Sequence, residues 1–291
     1  MTRYILMVFV GACSFGILST FVKLAYTEGY TAAEISVSQA FTGMVVLWLL
    51  SQLFTRNTSA PTEQLKERTV RQLLFTGAAL GLTTFVYYLS VQYIPASVAI
   101  VLLMQFTWMG MLLEWLVFGK KPARMQALIT LVILTGTVLS AGLLNAQASV
   151  LPLKGIVYAL ASALLYAVYI LANSRTGNQL HPLKKSRVIM AGSTLGIFVA
   201  NAHQLIGSPH FDMGLLKWVL SLSLFGTILP PLLFARGIPK IGAGISGIIM
   251  TAELPVAVIC SHIVLHEPVD VWQWTGVVIM LIAIALQKVI V

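Results

Sequence analysis

Ten long apolar runs separated by short polar stretches make up most of the chain. They fall at about 4–26, 33–54, 72–94, 97–118, 124–144, 153–173, 186–206, 217–236, 242–264 and 270–290. None alternates strictly between apolar and polar positions, as the strands of a membrane β-barrel do. Each is close to the length of about 20 residues that a helix needs to cross the hydrocarbon layer. Backbone in lipid has to satisfy its own hydrogen bonds, which leaves the helix as the spanning element. The pattern therefore predicts an all-α integral membrane protein with ten transmembrane helices. One polar stretch is long, "TRNTSAPTEQLKERTVR" at 55–71, with room for a short helix on the membrane surface. The first run lacks an A-x-A-type cleavage site and is followed by more spans, so it is expected to be a membrane helix and no removed signal peptide.

Composition makes the membrane reading firmer. Of 291 residues, 58% are hydrophobic and 9% charged, against about 25% charged in a soluble domain. The net charge of +9 raises nucleic acid as a partner, and the placement of the charges argues against it. With the N-terminus cytoplasmic, 15 of the 18 lysines and arginines fall in inner loops or at inner helix ends, and only Lys23, Lys154 and Lys217 fall outside. Glu28, Glu34, Asp212, Glu267 and Asp270 join the outer side. That asymmetry is the positive-inside signature. It places both termini in the cytoplasm, and the basic residues face anionic lipid headgroups. Cys13 and Cys260 lie inside apolar runs, with neither disulfide nor metal-ligand spacing.

The two halves of the sequence repeat. Residues 94–122 read "IPASVAIVLLMQFTWMGMLLEWLVFGKKP" and residues 238–268 read "IPKIGAGISGIIMTAELPVAVICSHIVLHEP". Both open with Ile-Pro, run through small residues and close just before a proline. Gln126 follows the first and Gln273 the second. "GACSFGILSTFVKLA" (11–25) lies over "ALASALLYAVYILAN" (159–173), with Ser14 over Ser162. The offset is about 147, which divides the chain into 1–146 and 147–291. Five spans are an odd number, so the second copy enters from the opposite side. Two inverted five-helix repeats are a recurring sign of secondary transporters, with a site near the midplane between the copies.

These features resemble the EamA family of the drug/metabolite transporter superfamily. The resemblance covers essentially the whole chain and rests on the small-residue start of each fourth helix of a half, the Glu-before-Pro of "AELPVA", and the closing "LHEP". The family typically closes that helix with a small residue and a glutamate. The second copy has His266-Glu267 there; the first departs, with Lys120 in "FGKKP" and "QFTW" where proline is common. The resemblance implies transport of a small metabolite, often export, with substrates in the family ranging over amino acids and nucleobases.

Within the run bounded by Lys240 and Glu267, Glu253 is the only Asp, Glu, Lys or Arg. A charge at the bilayer centre costs about 2.5–3.5 kcal/mol even on insertion scales, so such a residue faces the bundle interior or water. Two functional roles fit it: proton coupling, or pairing with a cationic part of the substrate. The bland alternative is a carboxyl that packs helices. Pro255 is expected to remove a backbone hydrogen bond and to free a carbonyl near residue 251 for the cavity. Gln105 and Trp108 occupy the matching region of the first copy and are expected across from Glu253. Tyr87 and Tyr166 are expected as aromatic pocket walls, Tyr166 sharing a face with Tyr169. Glu114 reads as an interfacial carboxylate neutralised by Lys120 and Lys121, and Lys23 as a lysine that snorkels to the interface. The cavity is expected among the first, third, fourth, sixth, eighth and ninth spans, with the fifth and tenth at the periphery.

Catalytic motifs, phosphate-cradling loops and nucleotide-binding domains are absent from the sequence. "GAGISG" (242–247) opens an apolar helix with no strand before it and fails the dinucleotide context; its small residues let helices approach. The reading is a non-enzyme with no cofactor. It is a secondary transporter, an exporter of a small polar or amphipathic metabolite such as an amino acid, across a bacterial inner membrane. Its partners are the substrate, protons as a coupling ion and membrane lipids, and no nucleic acid. The alternative is a transporter or flippase of a lipid-linked or amphipathic molecule, whose site would open sideways to lipid with few polar groups at the midplane.

Overall fold

The computed structural model describes residues 1–55, 67–94, 96–140, 152–206, 212–266 and 269–290. All regular structure among them is helical. Eight stretches are long and apolar enough to cross a membrane: Thr2–Thr27, Ala32–Phe54, Glu67–Tyr93, Val98–Phe118, Leu153–Arg175, Pro182–Leu205, Met213–Ile241 and Ala243–Leu265. They coincide with eight of the expected runs. The fifth and tenth runs appear as shorter apolar helices, Arg124–Leu139 and Val271–Leu286. Most of the expected surface helix, and the Glu267–Pro268 end of "LHEP", lie outside the described residues.

Four of the long stretches are interrupted, and the pieces are numbered separately. The first is α1 (Thr2–Gly16) and α2 (Leu18–Thr27), followed by α3 (Ala32–Thr55) and α4 (Glu67–Tyr93). The fourth run is α5 (Ala96–Leu103) and α6 (Phe106–Phe118). Then come α7 (Arg124–Ser140), α8 (Leu153–Arg175) and α9 (Pro182–Ile206). The eighth run is α10 (Met213–Leu222) joined by a π-helical turn, Ser223–Ile228, to α11 (Leu229–Ile241). The ninth is α12 (Ala243–Met250) and α13 (Glu253–Leu265), and α14 (Val271–Ile290) closes the chain.

The π turn leaves carbonyls and hydroxyls out of helical register, and neighbours take them up, as such turns require. Ser14 Oγ donates to the Phe225 carbonyl at 2.6 Å. Ser223 Oγ and Thr227 Oγ1 both donate to the Gln39 carbonyl on α3, at 3.1 and 2.9 Å. Elsewhere small residues set the spacing, as in membrane helix packing generally. α4 and α9 run against each other through glycines; a Cβ at Gly81 would lie 2.5 Å from the Ser193 carbonyl oxygen.

The expected peripheral pair, α7 and α14, pack on each other and on α5, α6, α12 and α13. Their starts are capped alike. The Ala123 backbone N–H donates to Gln126 Oε1 at 3.3 Å, and the Asp270 N–H donates to Gln273 Oε1 at 3.0 Å. Glu34, counted as an outer acid, is fully buried in a capping box: Thr31 N–H and Oγ1 both donate to it, at 2.8 and 2.9 Å.

Lys185 departs from its expected place as a loop cation. It is buried, and its ammonium donates to the Asn173 carbonyl at 2.7 Å and to Asn178 Oδ1 at 3.3 Å. The acceptor carbonyl belongs to the last turn of α8, where the helix dipole favours a cation.

Candidate functional site

The break between α12 and α13 makes Glu253 the first residue of a new helix near the middle of the ninth run. Thr251 and Ala252 form the turn, held by Thr251 N–H to the Ile248 carbonyl at 3.3 Å and Ala252 N–H to Ile249 at 3.2 Å. A helix start is a favourable place for a carboxylate, since the dipole and free N–H groups face it. Glu253 is 4% exposed, and Tyr166 Oη of α8 donates to its Oε1 at 2.5 Å. The α1–α2 break lies against the same point. A Cβ at Gly16 would sit 2.5 Å from the Glu253 carbonyl oxygen, so glycine is what lets the two interrupted helices touch.

Glu253 and Tyr166 form one side of a small cavity between the interrupted helices and α4. The α1–α2 break supplies Phe15, Leu18 and Ser19. From α4 come Thr83, Thr84, Tyr87 and Tyr88 with Leu80 behind them, and from α5 Ile100 and Leu103. Five of the six expected runs thus line it, and the eighth is missing. Phe234 of that run stands one layer back, its ring 5.6 Å from Phe15. The rings of Phe106, at 4.8 Å edge-on, and of Tyr169, stacked at 6.0 Å, pack Tyr166 in place.

The hydroxyls around the cavity are nearly all committed. Thr83 and Thr84 donate to the Ala79 and Leu80 carbonyls of their own helix, at 2.7 and 3.2 Å. Tyr88 Oη donates to Gln39 Oε1 at 2.9 Å. Tyr87 Oη is buried and has no hydrogen-bond partner among the described residues.

Of the residues singled out in the sequence, Glu253, Tyr166 and Tyr87 meet at this cavity. Gln105 and Trp108 do not stand across from Glu253. Trp108 is 39% exposed on the outside of α6, and its Nε1 donates to Gln105 Oε1 at 2.8 Å. Gln105 Nε2 donates to the Val101 carbonyl at 3.3 Å. The pair closes on itself, and Phe106 points inward between them. Pro255 is buried in the first turn of α13 and lines no part of the cavity. The carbonyl it was expected to free is taken: Leu254 N–H donates to the Thr251 oxygen at 3.1 Å.

Phe15, Phe106 and Ser19 were not singled out as site residues. Phenylalanine in an apolar run carries no signal of its own; the repeat offset does, since Phe106 and Glu253 are 147 positions apart. Glu114 is buried at the other end of α6, away from the cavity, paired with Lys120 at 3.5 Å as expected and with Arg175 at 3.3 Å in place of Lys121. Among the described residues no group of three or more His, Cys, Asp or Glu side chains stands close enough to hold a metal.

At the end of the bundle nearest the α2–α3 turn, three polar contacts tie that turn to the start of α10. Glu28 bonds Lys217 Nζ at 2.7 Å and accepts from Trp218 Nε1 at 2.8 Å. Tyr30 Oη donates to Asp212 Oδ1 at 2.7 Å. The Lys217 hydrogen bond, followed by that of Trp218, holds the Glu28 carboxyl below its usual value. The Leu215 N–H and then Tyr30 do the same for Asp212, and the Tyr30 phenol is pushed up to about 12, chiefly by its bond to Asp212.

The sequence has a counterpart in known proteins. The family model described as "EamA-like transporter family" matches residues 2–142 and again 153–287. The chain belongs to the EamA-like transporter family. It is a multi-pass membrane transporter of a small molecule. It is 25% identical, over 97% of its own length and 92% of the relative's, to the "Uncharacterized transporter sll1319" of Synechocystis sp.. It is 26% identical to the threonine/homoserine exporter RhtA of Escherichia coli strain K12, over 67% of this chain and 63% of that exporter. A solved structure described as "Crystal structure of protein" shares the fold at a TM-score of 0.74 and 14% identity, covering 98% of this chain and 96% of that one.

Proposed function

We propose that this EamA-like transporter is a secondary exporter of a small polar or amphipathic metabolite, an amino acid of the threonine or homoserine kind among the candidates, working by alternating access. In this reading ten helices form two inverted five-helix repeats, 1–146 and 147–291, in a bacterial inner membrane with both termini cytoplasmic. The observation that carries it is the Glu253–Tyr166 hydrogen bond on the wall of a buried cavity. A carboxyl held there, on a broken helix, is what a carrier needs to bind a proton and a cationic substrate group in alternation. The helix breaks add support, since unwound turns at mid-depth are where such carriers build their sites.

The titratable groups within electrostatic reach of Glu253 are Cys13 from α1, Tyr87 from α4, and Tyr166 and Tyr169 from α8. Among the described residues lining the cavity none is a base, so in this reading the carboxyl takes its counter-ion from the proton or the substrate. The flippase alternative is favoured by one feature, a largely apolar surface groove lined by Phe41, Phe198 and Leu216 among others. It ranks second because no buried carboxyl lines that groove.

The test is uptake and efflux of labelled amino acids and nucleosides in proteoliposomes, with and without a pH gradient, for wild type and Glu253→Gln. Glutamine keeps size and hydrogen bonding and removes titration. Wild type is expected to respond to the gradient and the variant to lose that response, or to lose cationic substrates selectively. Coincident rate–pH curves for every transported substrate would make Glu253 a packing residue.

A further inference from the structure

We propose that the substrate is an organic amine whose positive charge lies next to a neutral hydrogen-bond acceptor, with Glu253 reading the charge and Tyr87 the acceptor. This rests on the cavity being the transport site.

Charge comes first. Among the described residues the lining holds one carboxyl, that of Glu253, and no lysine, arginine or histidine. An anion entering meets a like charge and no counter-charge, which low-polarity surroundings make costly. A cation meets Glu253 and the rings of Phe15, Tyr87, Tyr88 and Tyr166, a wall whose π faces attract ammonium groups.

Hydrogen-bond accounting narrows the class. Ser19 Oγ faces its own Gly16 carbonyl at 3.5 Å, and Thr83, Thr84, Tyr88 and Tyr166 have spent their protons as described above. The Tyr87 hydroxyl is the donor left over, buried and without a partner on a side chain that lines the cavity. A phenol supplies one O–H. That satisfies the oxygen of an amide, ester or alcohol. A carboxylate has two acceptor oxygens and a full charge, and one O–H leaves most of its desolvation uncompensated. Amines with a neutral acceptor should therefore bind best, zwitterions next and anions not at all.

A series with one carbon body separates the terms: leucinamide (cation and acceptor), isoamylamine (cation alone), leucine (zwitterion) and N-acetylleucine (anion). Equilibrium binding is measured calorimetrically on the purified full chain in detergent, for wild type, Tyr87→Phe and Glu253→Gln. Leucinamide should bind at least about tenfold more tightly than leucine, and N-acetylleucine should not bind. Tyr87→Phe should weaken leucinamide by roughly three- to tenfold and leave isoamylamine within about twofold. Glu253→Gln should weaken both amines by at least about 30-fold. Leucine or N-acetylleucine binding as well as leucinamide, no binding of either amine, or equal losses for both amines in Tyr87→Phe, each overturns the proposal. The wild-type ranking decides it even where a variant fails to fold. The assay involves no transport, so the expected ranking combined with no gradient-driven flux sinks the exporter reading alone.

Discussion

The helix breaks at Met104–Gln105 and Thr251–Ala252 share one backbone and differ in chemistry. In the first, Gln105 N–H donates to Leu102 at 3.2 Å and Thr107 N–H to Met104 at 3.1 Å. In the second, Ala252 N–H donates to Ile249 at 3.2 Å and Leu254 N–H to Thr251 at 3.1 Å. Every residue of the second set lies 147 positions after its counterpart in the first. On this common scaffold Phe106 answers to Glu253, and Trp108 to Pro255. Phe106 and Glu253 reach the same tyrosine, one through an edge contact at 4.8 Å and the other through a hydrogen bond at 2.5 Å. The interruption is thus a property of how the fourth and ninth runs pack, and each half has filled the position after it differently. One filling is a wedge that holds Tyr166 from the side, and the other is the group that can titrate.

If Phe106 is that wedge, its loss should be the largest effect in this region. Phe106 is 1% exposed, and truncating a buried phenylalanine to alanine costs about 3–5 kcal/mol. Phe106→Ala should lower the thermal midpoint in detergent well below that of wild type. It should also impair transport where the fold survives, because Tyr166 loses its lateral support. A midpoint within a degree or two of wild type would mean that Tyr166 is held by Tyr169 and Phe15 alone.

A second contrast sets the cavity against the rim. The groups at Glu28 and Asp212 lie in water, outside the spans, and their titration follows ordinary linkage. The Glu28 carboxyl titrates below 4.5 in the folded protein. Its contact with Lys217 therefore contributes fully above 4.5 and is lost as pH falls through the lower folded value. The thermal midpoint should decline as pH falls below about 4.5. Glu28→Gln should reduce that decline, and added salt should mimic the substitution in part, since exposed pairs are screened. A profile unchanged in Glu28→Gln would leave the rim contact without a role in stability.

These comparisons also show what the sequence disclosed. The long runs were legible because lipid demands about 20 apolar residues per crossing, and each observed helix or helix pair falls within a few residues of its expected span. Glu253 was legible because one carboxyl in such a run is costly. Tyr166 and Tyr87 followed from the need of a buried hydroxyl for a partner or a purpose. Gln105 and Trp108 misled because polar and aromatic side chains draw attention, whereas the inward position between them belongs to an apolar residue. The burial of Lys185 was not legible: a lysine beside a helix end reads as a loop cation until the fold brings the Asn173 carbonyl to it. The breaks were not legible either, since proline marks only one of the two.

That last point yields the smallest expected effect and the sharpest test of the shared backbone. Pro255 was expected to remove a backbone hydrogen bond from the ninth run, yet Trp108 occupies the matching place in a break with the same hydrogen bonds and no proline. Pro255 lies in the first turn of α13, where an N–H has no helical partner to lose. The turn is held by the Leu254 N–H donating to the Thr251 oxygen at 3.1 Å, a bond that does not involve the proline. Pro255→Ala should therefore keep the break. Its cost should be about 0.4–1 kcal/mol, mostly from the greater freedom of the unfolded chain. Cysteine crosslinking or spectroscopic distances across residues 248 and 258 should match wild type, and transport should stay near wild type. A lengthened, continuous helix in Pro255→Ala, with Glu253 rotated away from Tyr166 and transport lost, would show that the proline makes the ninth-run break and that the likeness to the fourth run is coincidence.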